Sequence, residues 1–124
     1  MRAVLAASLM AAAMLAAPPR APNDGAGASA FAECIACHAL EPGRNTPAGP
    51  TLHGIVGRPV AALPGFNYSP ALRRFAARNP RWTPALLQRF LTDPEAVVPG
   101  TEMGFVGIRD EERRAALIAW LAAP

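Results

Sequence analysis

"FAECIACHAL", residues 31–40, holds both cysteines of the chain, Cys34 and Cys37, with a histidine, His38, directly after the second. On a helix these positions are i, i+3 and i+4, so all three side chains emerge on one face. Two thiols and an imidazole on one face suit three chemistries: a redox dithiol, half of a zinc site, or a set of anchors for something larger.

Covalent haem attachment requires this set. The cysteines add across two vinyl groups on one edge of the porphyrin, and the histidine reaches the iron from the same side. C-x-x-C-H is the sequence signature of that attachment. A tetrahedral zinc site wants four ligands, and past the N-terminal segment only His53 could join the three. A thioredoxin-like dithiol sits where a strand meets a helix, and strand signals are nearly absent here. Haem attachment is the favoured reading, with thiol redox chemistry and zinc as its alternatives.

At 124 residues the chain is one domain with a short appendage. Its opening, "MRAVLAASLMAAAMLAAPPRAP", carries one charge, runs uncharged over Ala3–Ala17 and breaks at Pro18-Pro19. That is the layout of a secretory signal, and it falls short of the ~20 apolar residues that cross a bilayer. The expected division is a signal over 1–17, cut between 16 and 23, a linker over 18–23 and a domain over 24–124. An uncleaved, loosely anchored form is the alternative. Export places the protein in the periplasm, where a lone free dithiol is usually closed.

All 12 basic residues are arginine, and the net charge is +3. Without Arg2 and Arg20, ten arginines face nine acidic residues, which is close to neutral. Arg73, Arg74, Arg78 and Arg81 form the single local cluster, and it reads as a solvated helix face rather than a nucleic-acid stripe.

Proline and glycine punctuate the domain. Asp24 is placed to cap a first helix carrying Gly27, Phe31, Cys34 and His38. Residues 41–64 read as ordered loop. Ser69-Pro70 and Thr83-Pro84 each pair an N-cap with proline at the first helical position, predicting helices over about 70–78 and 84–92. These stop at Asn79-Pro80 and Asp93-Pro94. Asp110 caps a last helix with Glu111 and Glu112 in its first turn, and Leu117, Trp120 and Leu121 make an apolar stripe. The expected fold is all-α, four or five short helices with long loops. Such a body is short of packed core, and small domains of this kind usually need a cofactor, metal or crosslinks to fill the middle.

A haem that carries electrons usually holds two protein ligands. Beyond the signal the candidates for the second are Met103, in the turn-rich "PGTEMGF", and His53, in "GPTLHG". His53 reads better as a solvent-facing or loop-bonding residue.

With "CIACH", "GPTLHG", "GFNYSPAL" and "PGTEMGF" in that order, the chain resembles the class I cytochromes c from about Gly27 to Leu121. The likeness is strongest to the cytochrome c2 and mitochondrial-like branch. The resemblance implies one haem c joined to Cys34 and Cys37, with His38 as proximal ligand and Met103 as distal ligand. It implies that the Pro50 carbonyl receives the proximal imidazole N–H. Tyr68 and Trp82 would hydrogen-bond a haem propionate beside Arg58, and Thr101 would help hold the methionine side. Gly27 and Phe31 would cross the last helix at Leu117 and Trp120. Three departures stand out. Phe90 occupies a position where many members have tyrosine, the Tyr68–Trp82 segment is slightly longer than in the mitochondrial form, and Glu102 sits beside Met103 where lysine is common.

The implied function is a periplasmic one-electron carrier, monomeric and not an enzyme. Its redox protein partners would dock at the exposed haem edge, through an apolar rim with Gly104, Phe105 and Val106 plus a few arginines. The membrane would be met only through partners or an uncleaved N-terminus. A haem subunit of a dehydrogenase, or a peroxidase-like haem enzyme, is the alternative.

Overall fold

Capping side chains and prolines set the helix starts in the computed structural model, which describes residues 25–123. The signal and linker assignments and the Asp24 cap lie outside the described residues. Five helices run in the order α1 Gly25–Phe31, α2 Pro70–Arg78, α3 Pro84–Thr92, α4 Pro94–Val97 and α5 Glu111–Ala122. Ser69 accepts from the Leu72 amide and Thr83 from the Leu86 amide, each at 3.1 Å with proline directly behind the cap. Asp110 accepts from the Arg113 amide at 2.8 Å. Caps of this kind are worth ~1 kcal/mol each, which matters for helices this short.

The expected bounds of α2 and α3 agree with the structure; α4 was not anticipated. Its signal was present, since Asp93-Pro94 repeats the cap-and-proline pattern and Asp93 accepts from the Ala96 amide at 3.2 Å. The first helix differs from expectation at its other end. It stops at Phe31, and residues 32–37 continue as tight turns. There Glu33, Cys34 and Cys37 donate to the carbonyls three residues back, at 3.2, 2.8 and 3.1 Å. Such winding satisfies carbonyls that a helix C-terminus would otherwise orphan. The His38 amide returns to an i−4 bond, reaching the Cys34 carbonyl at 2.9 Å.

The core forms where α5 crosses α1 and packs on α3. Gly27 makes the crossing possible. A Cβ there would fall on Trp120 Cβ and lie 2.7 Å from the Ala116 carbonyl oxygen. The rings of Phe31 and Trp120 pack 5.2 Å apart. Leu117 is 1% exposed and Ile118 and Leu121 are buried beside it. From α3, Leu86, Leu87, Phe90 and Leu91 turn inward, with Phe90 set 4.9 Å from the ring of Trp82.

Between α1 and α2 the long loop is held by side chain to backbone bonds rather than by a sheet. Thr51, 2% exposed, donates to the Glu41 carbonyl at 2.7 Å and accepts from the His53 amide at 3.1 Å. Asn45 accepts from the Thr51 amide at 3.0 Å and donates to the Pro64 carbonyl at 3.1 Å. Among the described residues the β pairing is one isolated bridge, Pro59 with Arg81. It lets the Trp82 amide reach the Arg58 carbonyl at 2.9 Å.

Candidate haem site

The tight turns after α1 place Cys34 inside and Cys37 outside. Burial, reinforced by the nearby Glu33, pushes the Cys34 thiol from 9.0 up to about 11. A redox dithiol needs an accessible thiolate of lowered pKa, so this environment opposes thiol exchange. The zinc alternative lacks its fourth ligand: His53 is exposed, and no group of three or more His, Cys, Asp or Glu is placed to hold a metal among the described residues.

His38 is half-buried, with Nδ1 2.7 Å from the Pro50 carbonyl oxygen. A carbonyl can only accept, so Nδ1 carries the hydrogen and Nε2 keeps its lone pair. Burial first, and then the Arg58 charge, lower the imidazole below its usual range, against the raising effect of the Pro50 bond. The ring is therefore held neutral with one basic nitrogen free, the state a metal ligand needs.

The Pro50 acceptor is itself positioned. A Cβ on Gly49 would stand 2.6 Å from His38 Cε1 and 2.9 Å from the Cys37 carbonyl oxygen. Only a residue without a side chain lets this strand of loop lie against the ring. Thr46 completes the arrangement. Its hydroxyl donates to the Cys37 carbonyl at 2.6 Å and accepts from the amides of Ala48 and Gly49 at 3.2 and 3.1 Å. Thr46 and Gly49 were missed from sequence; residues 41–64 read as ordered loop, but their proline and glycine content does not show what the loop holds.

A second group gathers around Arg58. Its Nη1 donates to the Thr51 and His53 carbonyls at 2.7 and 3.0 Å. Its Nε is buried with no hydrogen-bond partner, an expensive condition for a charged donor. Tyr68 is close enough to bear on the Arg58 charge. The Tyr68 hydroxyl accepts from the Leu63 amide at 3.3 Å, so its own hydrogen is available to an external acceptor. A guanidinium N–H and a phenol, both buried, fit an anionic group such as a carboxylate. Trp82 is tied to Arg58 through the bridge and is buried between Phe75 and Phe90.

The third group is the segment between α4 and α5. The Thr101 amide donates to the Val98 carbonyl at 3.0 Å, and the Thr101 hydroxyl accepts from the Met103 amide at 3.2 Å. Met103 is half-buried and packs on the core. The structure thus joins His38 with Pro50, Arg58 with Tyr68 and Trp82, and Thr101 with Met103. His53, weighed as a ligand from sequence, contributes only its backbone to the Arg58 group.

No family model matches the chain. It is 36% identical over 118 residues to the cytochrome c2 of Blastochloris viridis, covering 95% of this chain and 85% of that one. It is 40% identical over 95 residues to the cytochrome c-550 of Ancylobacter novellus, covering 77% and 89% of the two chains. Among solved structures, cytochrome cH from Methylobacterium extorquens superposes with a TM-score of 0.70 at 41% identity, over 77% of this chain and 93% of that one. With these relatives and this fold, the chain belongs to the class I cytochromes c, electron carriers built around one covalently attached haem c.

Proposed function

We propose that this chain is a periplasmic one-electron carrier whose haem is joined by thioethers to Cys34 and Cys37 and ligated by His38 and Met103. The observation that carries the ligand assignment is the 2.7 Å bond from His38 Nδ1–H to Pro50, which leaves Nε2 as a basic donor. The bound haem supplies reversible Fe(II)/Fe(III) exchange, with a potential raised by thioether ligation and an apolar surround. Arg58 and Tyr68 offer hydrogens to a haem carboxylate, with Trp82 packed beside them. Thr101 fixes the backbone from which Met103 projects.

The carrier works without bond chemistry on a substrate, so it is read as a protein that partners oxidise and reduce rather than an enzyme. Ile35 and Val106, 67% and 82% exposed, are the exposed large hydrophobics among the described residues. One lies between the two cysteines and the other three residues past Met103. Redox partners dock on this apolar rim, with arginines at its margin and no lysine ring. Encounter is then less salt-dependent than charge-steered association. Among the described residues no helix is long and apolar enough to cross a membrane. The N-terminal layout supports export, and the working form is a monomer.

The test is an optical spectrum of protein made in a periplasm with haem-attachment machinery. Sharp reduced bands that resist acid-acetone extraction, with the weak far-red sulfur-to-iron band in the ferric form, are expected. Met103→Ala should abolish that band and lower the potential. An unchanged spectrum and potential in Met103→Ala would remove Met103 from the iron.

A further inference from the structure

The segment carrying Met103 is held at both ends by buried residues. At its start Val98 is 2% exposed and its carbonyl receives the Thr101 amide. Nearby, the Gly100 amide donates to Glu95 Oε1 at 3.0 Å. At its end Ile108 is 4% exposed, and its amide donates to the Leu91 carbonyl at 2.7 Å. Gly107, at φ 105°, lies so close over the Thr92 carbonyl that no Cβ could be placed there. Between these anchors the backbone makes few bonds.

One side chain secures the second anchor from the opposite side. Arg114, half-buried on the first turns of α5, donates from Nη1 to the Ile108 carbonyl at 2.9 Å and to the Arg109 carbonyl at 3.4 Å. Its Nε donates to Gln88 Oε1 on α3 at 2.7 Å. Ile108 is therefore pinned twice, its amide to the end of α3 and its carbonyl to α5. One guanidinium ties three segments together: α3, α5 and the return of the methionine loop. Bonds from a charged donor are about twice as strong as neutral ones, and those to Gln88 and Ile108 are partly buried. The ion pair at the same end, Arg109 with Asp93 at 3.6 Å, is too exposed to do this work.

We propose that Arg114 is a positioning residue for the distal ligand: by clamping Ile108 it sets how often the Met103 loop opens and releases the iron. This rests on the reading of Met103 as ligand. Loop opening is a local event whose free energy can lie well below that of global unfolding. A clamp at the loop's exit should act on the first without acting equally on the second.

The experiment uses the haem-loaded ferric protein and imidazole, which competes for the position that Met103 vacates. Binding is followed by loss of the far-red band, and global stability is measured in parallel by guanidinium unfolding. Arg114→Leu is expected to raise imidazole affinity by about tenfold, the scale of a lost charge-assisted bond. Arg114→Lys, which cannot reach Gln88 and Ile108 together, should give a smaller rise. Gln88→Leu removes the Nε acceptor and keeps the idea testable if Arg114→Leu does not fold. Arg113→Ala is the control: Arg113 neighbours the clamp but pairs with Glu33 at 3.4 Å, away from the loop. Its imidazole affinity should not change.

A less than twofold change in both Arg114→Lys and Gln88→Leu would overturn the clamp. So would a rise in Arg113→Ala matching the Arg114 variants, or a rise no larger than the change in unfolding equilibrium explains. A wild-type protein without the far-red band would instead overturn Met103 ligation itself, and the two failures are distinct.

Discussion

Gly49 lies against the imidazole of His38 so closely that its own missing side chain would occupy the space of the ring edge. A Cβ would come within 2.6 Å of Cε1 and 2.8 Å of Nδ1. The neighbouring Cys37 carbonyl blocks the other direction of relief, and Thr46 holds that carbonyl in place. Gly49→Ala should therefore turn the ring off the Pro50 acceptor. The expected cost is about 1–3 kcal/mol, as for other overpacked sites, with a lower yield of haem-loaded protein. Guanidinium unfolding and the haem-to-protein ratio measure both.

Thr46→Val should act on the same element without adding bulk. It removes the bond to the Cys37 carbonyl and two amide acceptances, while keeping the side-chain shape. A loss of about 1–2 kcal/mol is expected from the unpaired groups. Thr46→Ser, which restores the hydroxyl, should recover most of it in the same assay.

At the helix crossing, Gly27→Ala should be more damaging than its chemistry suggests. Alanine favours a helix over glycine by ~1 kcal/mol, but the added methyl meets Trp120 and the Ala116 carbonyl. Separation of α1 from α5 outweighs the propensity gain, and net destabilisation of ~2 kcal/mol is expected. An unfolding midpoint at or above wild type would contradict this packing.

Arg58→Leu removes a half-buried positive charge that the proposed site sets beside a haem carboxylate. Reduction adds an electron, which a nearby cation favours, so the potential should fall in the variant. Spectroelectrochemical titration reads this directly, and a raised potential would contradict the placement of the guanidinium beside the haem.

The acid limb of stability follows from His38. The fold lowers its imidazole below 6.5, chiefly by burial. The unfolded chain then binds the proton more readily than the folded one. The contribution of neutral His38 is whole above 6.5 and declines as pH falls from there towards the lowered folded value. The proposed ligation at Nε2 would exclude the same proton and move the decline further down. Guanidinium midpoints across this window should fall on acidification; a rise would contradict the assignment.

Much of this was legible in the residues alone, for reasons that differ from segment to segment. The starts of α2, α3 and α5 are written in short polar side chains, with a proline behind the first two, a local code that tertiary packing had no cause to override. The C-x-x-C-H set is equally local. The loop residues that hold His38 in place, Thr46 and Gly49, were not legible, because their importance lies in what another segment brings against them. Arg114 was hidden for the same cause: on α5 it reads as one more solvated arginine, and its value depends on Gln88 and Ile108 arriving from elsewhere. Ending α1 at Phe31 rather than carrying it through His38 goes with the shift of Glu33, Cys34 and Cys37 to carbonyls three residues back, which periodicity does not encode.

The crossing of α1 on α5 also bears on how freely the protein can change length. Phe31 and Trp120 stand at opposite ends of the described chain yet touch ring to ring, so nearly everything between them is one closed span. The entropy of closing such a span grows only with the logarithm of its length, about 0.6 kcal/mol for each doubling. A few residues inserted in a loop inside it add almost nothing to that cost. Segments such as the one from Tyr68 to Trp82 can therefore lengthen or shorten among relatives while the crossing stays fixed.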